Sequence, residues 1–243
     1  MGSMCSMEEA QRIAGVRSIL APNIVGLADN SLDVLDLTGA CPGDEGASVL
    51  AAALCSNTSL TRLDLQWNAI KERGADALAR AIAKHPSLTS VDMFCNSIKD
   101  AGATAFAGIL HKNATLTNLG LAWNSIGDAG AQALASALEV NSTLEFLSLR
   151  QNRIGDAGGM ALARAIAVNV SLREVSLSDN AFQEKVALAL LEARGESDMP
   201  VMKLGPTGGD DDASDAGTDR NVSFSSEEQE AAVGDAGFND VHS

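Results

Sequence analysis

Leucine stands at residues 32, 60, 88, 116, 144 and 172, an interval of 28 residues each time with no insertion. A strict period of this length leaves few folds open. Each unit must adopt one supersecondary structure and bury its flanks against copies of itself, so stability belongs to the array rather than to the unit. Three places after each of these leucines come Leu35, Leu63, Val91, Leu119, Leu147 and Val175, and five places after come Leu37, Leu65, Met93, Leu121, Leu149 and Leu177. This is the strand period of two, which sends alternate side chains into one face. Eight places on, Asn68, Asn96, Asn124, Asn152 and Asn180 occupy five of the six copies, with Ala40 in the first. An amide both donates and accepts, so stacked copies predict a ladder of asparagines where the chain leaves the strand.

The second half of each unit changes period. An aliphatic or aromatic residue (Ile70, Ile98, Ile126, Ile154, Phe182) is followed two places later by Glu72, Asp100, Asp128, Asp156 or Glu184, placed to cap a helix or favour its positive end. Apolar residues four apart follow, as Leu78 and Ile82, Phe106 and Leu110, Leu134 and Leu138, Leu162 and Ile166. That spacing is one face of an α-helix, and the alanines between favour helix while leaving little bulk against the sheet. Asn57, Asn113, Asn141 and Asn169, with His85 as the exception, stand where a left-handed residue would end the helix.

The pattern L-x-x-L-x-L-x-x-N-x-I-x-D-x-G followed by an Ala/Leu helix resembles the 28-residue, ribonuclease-inhibitor-like class of leucine-rich repeat, and is similar to the repeats of NOD-like receptors and of Ran GTPase-activating protein. The resemblance covers about residues 32–195. It implies an α/β solenoid, a curved horseshoe segment with parallel strands on the concave face and helices on the convex face, that binds another protein. The chain departs from those relatives in having no nucleotide-binding domain, far fewer cysteines than ribonuclease inhibitor, and fewer repeats than the Ran activator.

The ends differ in composition. Ser6 and Glu9 have capping-box spacing, and Ile13, Val16 and Leu20 follow at helical intervals, so the N-terminal segment 1–31 is expected to carry a capping helix over residues 7–20. Residues 32–199 hold the six repeats. In the last of them Val186 replaces the repeat glycine and Arg194 a helix apolar residue, as expected where an array turns toward water. Residues 200–243 contain ten acidic residues against Lys203 and Arg220, a net charge of −8 that predicts a disordered acidic tail.

Composition narrows the function. A formal net charge of −15 argues against nucleic acid as a partner, since phosphate repels such a surface. No apolar run approaches the roughly 20 residues of a membrane-spanning helix. The first residues lack a secretory pattern, and Cys5, Cys41, Cys55 and Cys95 have neither metal-ligand spacing nor a secreted context. The reading is therefore a cytoplasmic monomer without metal or cofactor. Its start, Met1-Gly2-Ser3-Met4-Cys5-Ser6, also fits M-G-x-x-x-[ST], which would acylate Gly2 with Cys5 as a second anchor, although Glu8 and Glu9 oppose anionic lipid. Four Asn-x-Ser/Thr triplets at Asn57, Asn113, Asn141 and Asn169 fall at helix ends and are expected to be unmodified. Ser223, Ser225 and Ser226 look like kinase sites of the tail.

Candidate binding residues lie four, six and seven places after each first leucine, on the face opposite the strand leucines. They are Asp36, Asp64 and Asp92; Gln66 and Trp67; Phe94 and Cys95; Trp123; and Arg150 and Gln151. Neighbouring strands lie about 4.8 Å apart, so Trp67, Phe94, Cys95 and Trp123 should form one patch beside an acidic column. Tryptophan and arginine are enriched in interface hot spots. Catalysis has little support, because His85, His111 and His242 pair with no nucleophile or metal partner and there is no phosphate-binding glycine loop. A non-enzymatic protein-interaction module with a protein partner, attracted if basic by the aspartates, is the reading, with a small-GTPase regulator and a NOD-like-receptor fragment as alternatives.

Overall fold

The computed structural model describes residues 2–41, 43–193 and 202–203. Two compact units divide the chain, Met1–Pro206 and Thr207–Ser243, and every described residue lies in the first. Seven helices and seven strands alternate among these residues: α1 (Gly2–Ala28), β1 (Val34–Asp36), α2 (Gly43–Leu54), β2 (Arg62–Asp64), α3 (Glu72–Ile82), β3 (Ser90–Asp92), α4 (Lys99–Leu110), β4 (Asn118–Gly120), α5 (Asp128–Leu138), β5 (Phe146–Ser148), α6 (Asp156–Val168), β6 (Glu174–Ser176), α7 (Glu184–Glu192) and β7 (Met202–Lys203). The strands form one parallel sheet in chain order. From β1 to β6 the pairing has no slip, Leu35 facing Leu63, Val91, Leu119, Leu147 and Val175 in turn. The 28-residue period thus becomes the lateral neighbour relation of the sheet. Strands stack about 4.8 Å apart and packed helices about 8–10 Å apart, so the array must bend with the sheet on its inner side.

The core is a single column. Leu60, Leu88, Leu116 and Leu144, the strand leucines, Ile70, Ile98, Ile126 and Ile154, and the helix pairs from Leu78–Ile82 to Leu162–Ile166 are all buried together. Both amide series weld the coils. Asn68, Asn96, Asn124, Asn152 and Asn180 each donate Nδ2–H to a carbonyl of the preceding coil, respectively Leu37, Leu65, Met93, Leu121 and Leu149. The helix-end series does the same: Asn57, Asn113, Asn141 and Asn169 donate to the carbonyls of Leu27, Ile82, Leu110 and Leu138. Their Oδ1 atoms accept the N–H groups two and three residues on, as at Thr143 and Leu144. This overturns the left-handed helix end expected of them. None of the four has a positive φ, because their energy comes from bonding an adjacent coil rather than from ending their own helix. Their amide nitrogens are consequently engaged within the fold.

The acids at the helix starts also differ from expectation. The aspartates among them cap the next helix, not their own. Asp44 Oδ1 accepts from the N–H groups of Lys71 and Gly74, Asp100 from Gly127 and Gly130, Asp128 from Gly155 and Gly158, and Asp156 from Gln183. The recurrent glycine of the D-x-G phrase follows from this. A Cβ on Gly130 would stand 2.8 Å from the Asp100 Oδ1 and 3.0 Å from the Ala103 Cβ. Only a hydrogen lets successive helices approach over the capping carboxylate.

The ends show three departures. Helix α1 is longer than the expected 7–20 and passes through Pro22 to Ala28, so Ser6 and Glu9 lie inside it and do not start it. Leu20 and Leu27, seven residues apart on one helix face, are buried in the core column, and this packing outweighs the backbone bond that Pro22 removes. Val186 does not turn to water: it is fully buried, and its bulk is accommodated because Gly159 stands where the preceding coils carry Ala75, Ala103 and Ala131. Lastly, β7 lies within the stretch read as acidic tail. It pairs Met202 with Val175, an offset of 27 rather than 28 residues. Arg194, the serines of the tail and its acidic run lie outside the described residues.

Candidate interaction surface

The face of the sheet opposite the leucines carries four columns. Each unit contributes residues two and four places after its first leucine from the strand, and six and seven places after from the turn. The seventh place is left-handed in all six coils, with φ of 65° at Gly39, 58° at Trp67, 53° at Cys95, 55° at Trp123, 50° at Gln151 and 57° at Asp179. This turn aims the following asparagine inward. It also lets the seventh N–H continue the sheet, Trp67 donating to the Phe94 carbonyl and Trp123 to that of Arg150. Glycine adopts that conformation without cost, whereas a bulky residue there costs about 1–2 kcal/mol. Trp67 and Trp123 are held in it by the stacked ladder on both sides.

The aromatic residues meet. The Trp67 and Phe94 rings are 5.6 Å apart between centroids in an edge-on pair at 70°, and the Phe94 and Trp123 rings are 6.2 Å apart at 51°. All three rings are half-buried, as is Cys95 between the tryptophans in the seventh-place column. Burial pushes the Cys95 thiol up to about 11, and the buried Cys41 to about 12, so both are protonated and poorly nucleophilic at neutral pH.

The acidic column is only partly at the surface. Asp36 is exposed and Asp92 half-buried, but Asp64 retains 7% of its exposure. Each carboxylate first serves its own turn, Oδ1 accepting from the N–H two residues on: Thr38, Gln66 and Phe94. Asp64 further accepts from the Thr38 hydroxyl, and the Gln66 amide donates to both Asp64 and Asp92, at 3.2 and 3.1 Å. The Arg62 guanidinium lies 3.7 Å from Asp64. Asp64 is thus withdrawn from solvent by neighbours on both sides. Arg150, also half-buried, makes an ion pair of 2.9 Å with Asp179, and Gln151 beside it is half-buried.

One column escaped the sequence reading. Two places after each first leucine stand Val34, Arg62, Ser90, Asn118, Phe146 and Glu174, on the same side as the aspartates. Val34 and Phe146 are exposed apolar residues there. The signal was present, because strand period two puts places two and four on one face. Gly2 and Cys5, the candidate acylation positions, have backbone within α1. Among the described residues no cluster of His, Cys, Asp and Glu could hold a metal ion, and no helix is long and apolar enough to cross a membrane.

The leucine-rich repeat family model matches residues 56–79, 84–107, 112–135 and 140–163, four tandem copies in phase with the coils. These matched segments are leucine-rich repeats. No curated protein matches this leucine-rich-repeat protein. Among solved structures, the actin-binding site 2 of leiomodin-1 is similar at 16% identity, with 72% of this chain and 87% of that one covered and a TM-score of 0.49. A protein from Bacteroides fragilis is similar at 11% identity over 65% of this chain and 59% of that one, with a TM-score of 0.34. At these levels neither likeness bears on a partner.

Proposed function

We propose that this leucine-rich-repeat protein is a non-enzymatic interaction module of the ribonuclease-inhibitor-like class, which engages a protein partner through the sheet face over β2–β5. The observation that carries the reading is the run of contacting rings Trp67, Phe94 and Trp123 across three successive coils. Two of these residues occupy a left-handed position that the first coil fills with Gly39, so the fold itself does not require large aromatics there. Strained, half-exposed aromatics held on a rigid sheet are the kind of anchor that dominates interface energetics. Extended repeat surfaces offer such anchors without rearrangement on binding.

The test is affinity capture with the intact chain, a Trp67→Gly/Trp123→Gly double variant, and a Val140→Asp/Val168→Asp variant that alters exposed residues at the helix ends of successive coils. Glycine is chosen because it suits the left-handed turn and spares the fold. The double variant should lose specific capture by at least about tenfold with unchanged circular dichroism, a loss typical of removing two hot spots, while the valine variant keeps it. Retention by the tryptophan variant, or loss by the valine variant alone, would place the interface elsewhere.

A further inference from the structure

We infer that α1 carries the dimerisation surface of this chain, its outer face packing antiparallel against the same face of a second copy, in place of the monomer read from the sequence. The helix has two faces of different kind. Val16, Leu20 and Leu27 on the inner face are buried in the core column, on the side where α1 packs on α2. On the outer face Gly15, Ser18, Pro22 and Val25 follow at intervals of three, four and three residues with Ile19 beside them, and all five are exposed. Alternation of three and four is the spacing of a seam along which two helices pack. Ile19 retains 60% of its exposure and Val25 64%, and none of the five is charged. The exposed residues of α3, by contrast, include Arg73 and Arg80. An end unit that faces water needs a polar outer face. Helix α1 ends the described stack with an apolar one, the surface of a helix that another helix covers.

Charge and shape select a second copy as the occupant. Residues 1–31 hold three acids (Glu8, Glu9, Asp29) against two bases (Arg12, Arg17), a net of −1 out of the chain's −15. Copies that meet at α1 therefore keep the other −14 of each chain at a distance, and the repulsion between two such chains is weakest there. The face is also self-complementary. Laid antiparallel about a two-fold axis near Leu20, the seam of one copy carries Val25 toward the Gly15 end of the other. A Cβ on Gly15 would meet no atom within 4 Å, so an incoming aliphatic side chain has room there. A two-fold contact of this kind uses one patch twice and closes on itself. Helix against helix is also the packing that this fold already uses, from α1 against α2 to α6 against α7. The contact lies at the end of the array, apart from the sheet face over β2–β5, so it stands or falls separately from the interaction reading.

Sedimentation equilibrium of the full chain over about 1 to 300 µM, a range suited to an interface at the small end of the size scale, should show a reversible monomer–dimer transition. Added salt should tighten it by screening the repulsion between two acidic chains. Gly15→Glu and Val25→Lys should each weaken dimerisation at least about tenfold, the effect of an unpaired charge in an apolar contact. Combined in one chain, the two should recover most of that loss, because the antiparallel seam sets each new acid beside a new base of the other copy. Both positions are exposed, so circular dichroism and Tm should stay close to those of the parent chain. The Trp67→Gly/Trp123→Gly variant should dimerise like the parent. A chain that is monomeric at the top of the range, dimerisation that ignores both substitutions, or no recovery in the combined variant would each overturn the assignment. Weakening by salt, or loss of dimerisation in the tryptophan variant, would place the contact elsewhere and overturn it as well.

Discussion

At the scale of single residues, His85 shows how one position of an otherwise uniform ladder acquires a pH response. Where other coils carry asparagine, the His85 ring is buried to 3% exposure, its Nε2 lies 3.2 Å from the Asn57 Oδ1, and its Nδ1 accepts the Leu88 N–H. These partners fix the neutral tautomer with the proton on Nε2, because a second proton on Nδ1 would face a donor. Burial holds the imidazole below the ordinary histidine value of 6.5. Unfolding restores that value, so the unfolded chain takes up the proton first. The stabilising contribution is intact above pH 6.5 and is lost as the pH falls below it through the folded value. His85→Asn should retain the fold, since Asn113 and Asn141 make the equivalent bonds. Thermal unfolding from about pH 7.5 to 5.5 should then show a smaller drop in Tm for the variant than for the parent chain. Equal drops would assign the acid sensitivity to other groups.

Among elements, the unit of stabilisation is the junction between helices. A carboxylate at the start of one helix satisfies two N–H groups of the next, and the glycine above it sets their separation. Glu72 is the informative exception. Its longer side chain forms an ion pair of 3.0 Å with Lys99 instead of a cap, and α4 begins with Lys99 at a φ of 50°. The Lys99 N–H turns to the Asn124 carbonyl. Asp100→Ala should therefore cost about 1–2 kcal/mol, the value of a lost helix cap, whereas Glu72→Ala removes an exposed pair and a contact with its own N–H and should cost at most about 0.5–1 kcal/mol. Urea unfolding of the two variants decides the matter. Similar losses would mean that the capping geometry contributes little.

Across the whole molecule, contacts run almost wholly between adjacent coils, so damage should stay local. Leu27 at the end of α1 is fully buried and its carbonyl accepts the Asn57 amide. Truncation to alanine should cost about 2–5 kcal/mol, and hydrogen exchange should rise first in α1, β1 and α2 while the amides of β3–β5 keep their protection. Leu121→Ala, in the middle of the column, should instead raise exchange on both sides of β4. A uniform rise in either variant would show one cooperative unit and remove the quasi-one-dimensional picture.

The sequence by itself determined the 28-residue coil, the alternation of strand and helix, the in-register parallel sheet, the strand-end asparagine ladder and the juxtaposition of Trp67, Phe94 and Trp123. All of these follow from a period that gives equivalent residues equivalent surroundings, so one repeat read correctly is six read correctly. The tertiary structure alone decided that Asp100 caps α5 rather than α4, that Asn113 bonds an adjacent coil, that Asp64 is withdrawn while Asp36 is not, and that α1 outlasts Pro22. Each of these depends on which atom of the neighbouring coil comes within about 3 Å, the reach of a hydrogen bond. A linear pattern orders residues along one chain, but it carries no distances across the stack.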